Sequence, residues 1–180
     1  MCANQCSAPP YTCFMATPDF ILELRAQIGN APLWLSGVTA VVRKGSQILL
    51  VQRADNLRWT PVTGIIDPGE HPADAAAREV LEEAGIVAVP TRFGGISVTA
   101  PVTYENGDVS QYIDLAFAFE WVSGEPFPAD GENLEARWFE LDDLPEMSQS
   151  MHARIASALS DDPRASFTFN GVLHPQPATE

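Results

Sequence analysis

The stretch GIIDPGEHPADAAAREVLEEAGI, Gly64 to Ile86, holds six carboxylates, Asp67, Glu70, Asp74, Glu79, Glu82 and Glu83, and one arginine, Arg78. Pro72 to Ala84 reads as a helix, with proline in its first turn and Gly85 as its stop. At 3.6 residues per turn Ala77, Val80, Leu81 and Ala84 form an apolar face. Glu79, Glu82 and Glu83 then share the other face as close neighbours. Their mutual repulsion is roughly 3 kcal/mol per pair at an effective dielectric of about 20. A solvated helix face tolerates such crowding. A divalent cation between the carboxylates relieves it, and oxygen donors without cysteine or histidine favour Mg²⁺ or Mn²⁺ over Zn²⁺.

What surrounds the helix favours the cation. Gly64 allows a close approach before it, and Pro68-Gly69 fixes a loop. Arg78, next to Glu79, can grip a carboxylate with two parallel hydrogen bonds.

Outward from this stretch the chain reads as one domain. Thr17-Pro18-Asp19 is a helix start, followed by Phe20, Ile21, Leu24 and Ile28 at helical spacing and a stop at Gly29-Asn30. Gly37–Arg43 and Gln47–Arg53 are strands around the Lys44-Gly45-Ser46 turn. Arg58–Ile66 reads as irregular or extended. After the acidic helix, Ile86–Thr99 is extended, and Glu105-Asn106-Gly107-Asp108 signals a hairpin. Ser110–Val122 alternates as a half-buried strand does. A Gly/Pro/acid-rich loop spans Ser123–Leu134, Arg137–Leu141 is a short strand, and Met147–Leu159 is a closing helix. This order implies an α/β sandwich around a mixed sheet. Residues 1–16 read as an extension, 17–162 as the domain, and 163–180 as a loose tail.

The chain has 180 residues and a formal net charge of −14, and Lys44 is its one lysine. That balance opposes binding to a nucleic-acid backbone or an anionic membrane. It leaves room for a small phosphorylated substrate if a metal supplies positive charge. No apolar run is long enough to span a bilayer. The start lacks the features of a signal peptide. Cys2, Cys6 and Cys13 have neither a histidine nor a fourth cysteine beside them. A reducing, cytoplasmic setting is the expectation.

The acidic stretch resembles the signature of the Nudix hydrolase superfamily, whose fixed positions are held by Gly64, Glu70, Arg78, Glu79, Val80, Glu82, Glu83, Gly85 and Ile86. The resemblance covers residues 35 to 160. It implies an α/β/α sandwich with a central mixed sheet, and hydrolysis of a nucleoside diphosphate linked to another group. It also implies that Glu79, Glu82 and Glu83 are metal ligands, with the Gly64 carbonyl a further one. One of the glutamates would activate water, and Glu70 and Arg78 would orient the helix. Relatives often carry Pro-Gly-Gly ending at the glycine, where this chain has Val62, Thr63 and Gly64.

Candidate substrate contacts lie around the signature. Glu132 or Glu135 on the acidic loop could serve as general base. Arg53 and Arg58 flank the approach and could bind phosphate. Trp59 and Tyr104 could stack on a base. Asp114 could read a purine edge or be the polar partner of an alternating strand. Pro101 matches a place where ADP-ribose-cleaving relatives carry proline. Tyr104 matches one where dinucleoside-polyphosphate-cleaving relatives carry tyrosine. The expectation is a pyrophosphohydrolase acting on an ADP-ribose-like compound. The alternatives are a nucleoside triphosphate pyrophosphatase, including clean-up of oxidised purines, and a nucleotide sensor without turnover. The stripe of the first helix could pack within the subunit or build a homodimer.

Overall fold

The computed structural model describes residues 17–175. Cys2, Cys6 and Cys13 lie outside that range, as does the expected N-terminal extension. Helix α1 covers Asp19–Ile28. Pro18, not Thr17, sits at its N-cap and makes no side-chain cap. Ile21 is its buried residue, while Leu22, Leu24 and Ile28 stay exposed. Arg25 ties α1 down by donating to the Val109 carbonyl and the Ser110 hydroxyl.

The strands are β1 (Leu33–Lys44), β2 (Gln47–Arg53), β3 (Trp59–Thr60), β4 (Val62–Ile65), β5 (Val87–Val98), β6 (Val102–Thr103), β7 (Val109–Ser123) and β8 (Asn133–Glu140). They form one mixed sheet along the path β3-β2-β1-β7-β5, with β4 paired to β1, β6 to β7 and β8 to β2. The β1–β7 pairing is parallel over eleven residue pairs, from Leu33 opposite Ser110 to Arg43 opposite Glu120. β2 pairs with β1 only beside their turn. Beyond it, β4 takes the freed edge of β1 from Gly37 to Ala40. The segment before the acidic helix is therefore partly strand, and the sheet forks at Val62, two residues before Gly64.

Alternation along the strands divides two cores. Helix α2 (Pro72–Ala84) covers one face, packing Ala76, Val80 and Ala84 among Val38, Ala40, Leu49, Val51 and Phe119. Helix α3 (Gln149–Ala158) covers the other, with Ile155 and Ala158 against Val41, Ile48 and Leu50. Its first turn is capped by the Ser148 hydroxyl, which accepts from the Met151 amide. The result is the expected three-layer α/β arrangement.

Two further expectations change. The inward stripe of α2 is Ala75, Ala76, Val80, Glu83 and Ala84, and Leu81 is 53% exposed. The helix is turned so that one glutamate, rather than a leucine, enters the core. Residues 163–175 are not a loose tail. They form a hairpin of β9 (Phe167–Phe169) and β10 (Val172–His174), and Ser166 bridges to Gly95 on β5. Arg92 reaches the carbonyls of Asp162 and Arg164 and secures that path.

Candidate metal and phosphate site

The three glutamates of α2 do not share one face. Glu83 is 5% exposed and points into the protein. Asn133 at the start of β8 donates from Nδ2 to Glu83 Oε2 at 2.9 Å. Glu79 is half-buried, and its carboxyl group rests on Gly64. A β-carbon built on Gly64 would stand 2.1 Å from Glu79 Cδ, so only glycine permits this approach. Glu82 lies toward solvent.

Arg78 organises the solvent side. Its Nε and Nη2 donate to Glu70 Oε1 and Oε2 at 2.9 and 3.0 Å. Its Nη1 donates to Glu79 and Glu82, each at 2.9 Å, and Nη2 also reaches the Ile65 carbonyl. The helix is thereby tied to its leading loop. The Arg78 hydrogen bonds also hold the Glu70 carboxyl below its ordinary range.

Burial pushes Glu79 up to about 7; Arg78 opposes the rise, and Glu82 and Glu132 add to it. Burial also raises Glu83 well above its usual range, against the Asn133 hydrogen bond and with the charges of Glu79, Glu132 and Asp130 reinforcing it. Asp130 and Glu132 therefore stand close enough to act on Glu83. The loop bearing them docks on the end of α2, where the Phe127 and Ala129 amides donate to the Ala84 and Glu83 carbonyls.

Among the described residues, no three acidic, histidine or cysteine side chains close around one point as they stand. The chemistry of the set nonetheless fits a hard cation. Glu79 is half-buried and Glu83 buried, the charge of Glu79 raises the proton affinity of Glu83, and a divalent ion offsets that repulsion. The donors are all oxygens, and the Gly64 peptide lies beside Glu79.

The substrate candidates separate. Arg53, at the end of β2, is held by both oxygens of Asp55 and interacts electrostatically with Glu83 and Tyr104. The Tyr104 and Tyr112 hydroxyls are 2.7 Å apart. Arg58 and Trp59 line a cavity of about 520 Å³ with Gln52 and Met147, on the α3 face. Trp59 also packs edge-on against Phe139, under Arg137. Asp114 is buried, accepts from Thr39 and pairs with Arg154 at 3.2 Å. Glu135 pairs with Arg137 on the exposed side of β8, on the face opposite its neighbour Ala136 and away from Glu83. Of the two loop candidates, Glu132 is the one whose charge acts on Glu79 and Glu83. Asn133, Asp130 and Tyr112 escaped the sequence reading, because no spacing relates them to the acidic helix.

The NUDIX domain family model matches residues 34–159. A NAD-capped RNA hydrolase NudC of Vibrio cholerae is 34% identical over 124 residues, which cover 68% of this chain and 42% of that protein. The Escherichia coli protein of the same name is 36% identical over 110 residues, 60% of this chain and 40% of its own length. The chain thus spans about two fifths of these relatives. Among solved structures, a NUDIX hydrolase from Nitrosomonas europaea superposes with a TM-score of 0.57 at 26% identity, covering 69% of this chain and 88% of that one.

Proposed function

The chain belongs to the NUDIX domain family, and from that premise we propose that it is a metal-dependent pyrophosphohydrolase of nucleotide-linked substrates. The observation that carries this reading is the half-buried Glu79 against Gly64 together with the buried Glu83, with the charges of Glu82, Asp130 and Glu132 acting on them. Glu79, Glu82, Glu83 and the Gly64 carbonyl would hold Mg²⁺ or Mn²⁺. The chemistry such an ion supplies when bound is neutralisation of phosphate charge and activation of water. Arg78 and Glu70 keep the helix in register with its loop. Arg53 supplies a cation, held in a fixed plane by Asp55, on the side of Glu83 where the phosphates would lie. Glu132 would accept a proton from the attacking water, a role supported by its charge acting on Glu79 and Glu83.

For the organic part we favour a nucleoside diphosphate linked to a second moiety, of the ADP-ribose type. The cavity beside Trp59 and Arg58 offers an aromatic wall for a base. β2 joins it to the phosphate region, because adjacent residues Gln52 and Arg53 serve opposite faces. The names of the NudC relatives include RNA, which stands against the expectation of no nucleic-acid partner. The net charge of −14 leaves little basic surface for an RNA backbone, so the capping dinucleotide is the part this chain would read.

A panel tests this: ADP-ribose, NAD, dinucleoside polyphosphates, ordinary and oxidised nucleoside triphosphates, and NAD-capped RNA, each with Mg²⁺ or Mn²⁺ and with phosphate release coupled to a phosphatase. Diphosphate-linked members should be cleaved, and Glu83→Gln should reduce turnover by orders of magnitude while circular dichroism stays unchanged. Preference for triphosphates would replace the substrate class. Hydrolysis of no member would put the sensor reading first.

A further inference from the structure

We infer that Asn133 is a positioning residue whose side-chain amide fixes the orientation of the Glu83 carboxylate for cation binding. The inference rests on the metal reading above but concerns a residue outside the signature. Asn133 and Glu83 are 4% and 5% exposed, so their 2.9 Å hydrogen bond is shielded from water. A buried carboxylate has few ways to satisfy its oxygens, and a single neutral donor therefore sets its rotation. With Oε2 facing the amide, the plane of the carboxyl group is fixed relative to Glu79.

The backbone makes the donor dependable. Asn133 pairs with Arg53 across β8 and β2, after a register shift between Gln52 and Arg53. The Ala54 amide donates to the Glu132 carbonyl one residue before Asn133. Upstream, the Ala129 amide donates to the carbonyl of Glu83 itself. Glu83 is thus gripped by its main chain and by its side chain from one loop. That loop also brings Asp130 and Glu132, so Asn133 couples the helix ligand to the loop acids. An amide suits the task because it donates without adding charge to a crowded acidic cluster.

Partners that orient metal ligands typically account for 10–100-fold in metal affinity. Asn133→Leu keeps the branched outline and removes the donor, and Asn133→Ala is the fallback if the bulkier leucine disturbs folding. Mn²⁺ binding to the full chain, followed by calorimetry or electron paramagnetic resonance, should weaken 10–100-fold in either variant. A double-mutant cycle separates orientation from general damage. In a Glu83→Gln background, removing Asn133 should cause no further loss, whereas a merely structural role would cost the same in both backgrounds. Wild-type Mn²⁺ affinity in both Asn133 variants, or an equal loss in both backgrounds, overturns the inference alone. Failure of the wild-type protein to bind Mn²⁺ overturns it together with the metal reading.

Discussion

Glu79 lies in a pocket of its own making, with its carboxyl group against the Gly64 α-carbon, and burial pushes its proton affinity up to about pH 7. The sign of the resulting pH dependence follows from linkage. The folded-state value lies above the ordinary 4.5, so the stabilising contribution is complete below about 4.5 and is lost as pH rises through about 7. Glu83 is raised as well and acts in the same direction. Glu70 and Asp55 are lowered, so their contributions change only at more acid pH. The melting temperature of chelator-treated protein should therefore fall between pH 5 and pH 8. Saturating Mn²⁺ should oppose the fall, because a cation binds the deprotonated carboxylates and stabilises the state that holds it. Calorimetric scans at several pH values, with and without Mn²⁺, test both parts. A metal-free melting temperature that rises across this window would contradict the assignment. At this scale the sequence groups the three glutamates but does not say how they differ. Periodicity treats Glu79, Glu82 and Glu83 alike, and only the rotation of the helix makes one buried, one half-buried and one exposed.

The element that carries the site is α2 together with the loop that closes its end. The helix boundaries, Pro72 and Ala84, were legible because proline and glycine punctuate them. Its inward face was not, since Leu81 is the more apolar choice and yet Glu83 is the buried residue. The donor that makes this tolerable, Asn133, comes from fifty positions further on. The loop from Gly124 to Glu132 was legible as acidic and irregular, but not as a cap. It lies over Gly85, whose φ of +64° favours glycine. A β-carbon there would come within 2.2 Å of the Phe127 ring. Gly85→Ala should thus destabilise the protein by about 1–3 kcal/mol, from backbone strain plus displacement of Phe127. Denaturant titration measures the loss. In a Phe127→Ala background only the strain remains, and the cost should shrink. Equal costs in the two backgrounds would mean that the ring does not hold the loop on the helix.

Across the whole molecule, the mixed sheet keeps two chemistries apart. Its α2 face holds the acidic cluster, and its α3 face holds the cavity beside Trp59. The three-layer order followed from the alternation of helices and strands in the chain. The fork did not, because β4 is four residues long and resembles a loop until β1 is there to pair with it. The last turn of the fold was also hidden. Short strands of Phe, Thr, Val and Leu, interrupted by Asn170 and Gly171, look like a tail, and their anchor is remote in sequence. That anchor is Arg92 on β5. Its guanidinium donates to the carbonyls of Ser157, Ala158 and Ser160 at the end of α3, and to those of Asp162 and Arg164 beyond it. One side chain thus terminates the helix and steers the chain back to the sheet edge, where the Ile96 amide and the Ser166 carbonyl bond. Arg92→Leu leaves these carbonyls without their donor. Hydrogen bonds to a charged group contribute about 1.5–3 kcal/mol net, which for a chain of this length lowers the melting temperature by roughly 4–10 °C. The loss should be local first. Amide exchange should accelerate from Ser160 to His174 while β1, β2 and α2 keep their protection, and Mn²⁺ affinity should be unchanged, because Arg92 touches none of the carboxylates at Glu83. Unaltered exchange over that segment would show that the hairpin is held by β5 alone. Weakened Mn²⁺ binding would show that the two faces of the sheet are coupled.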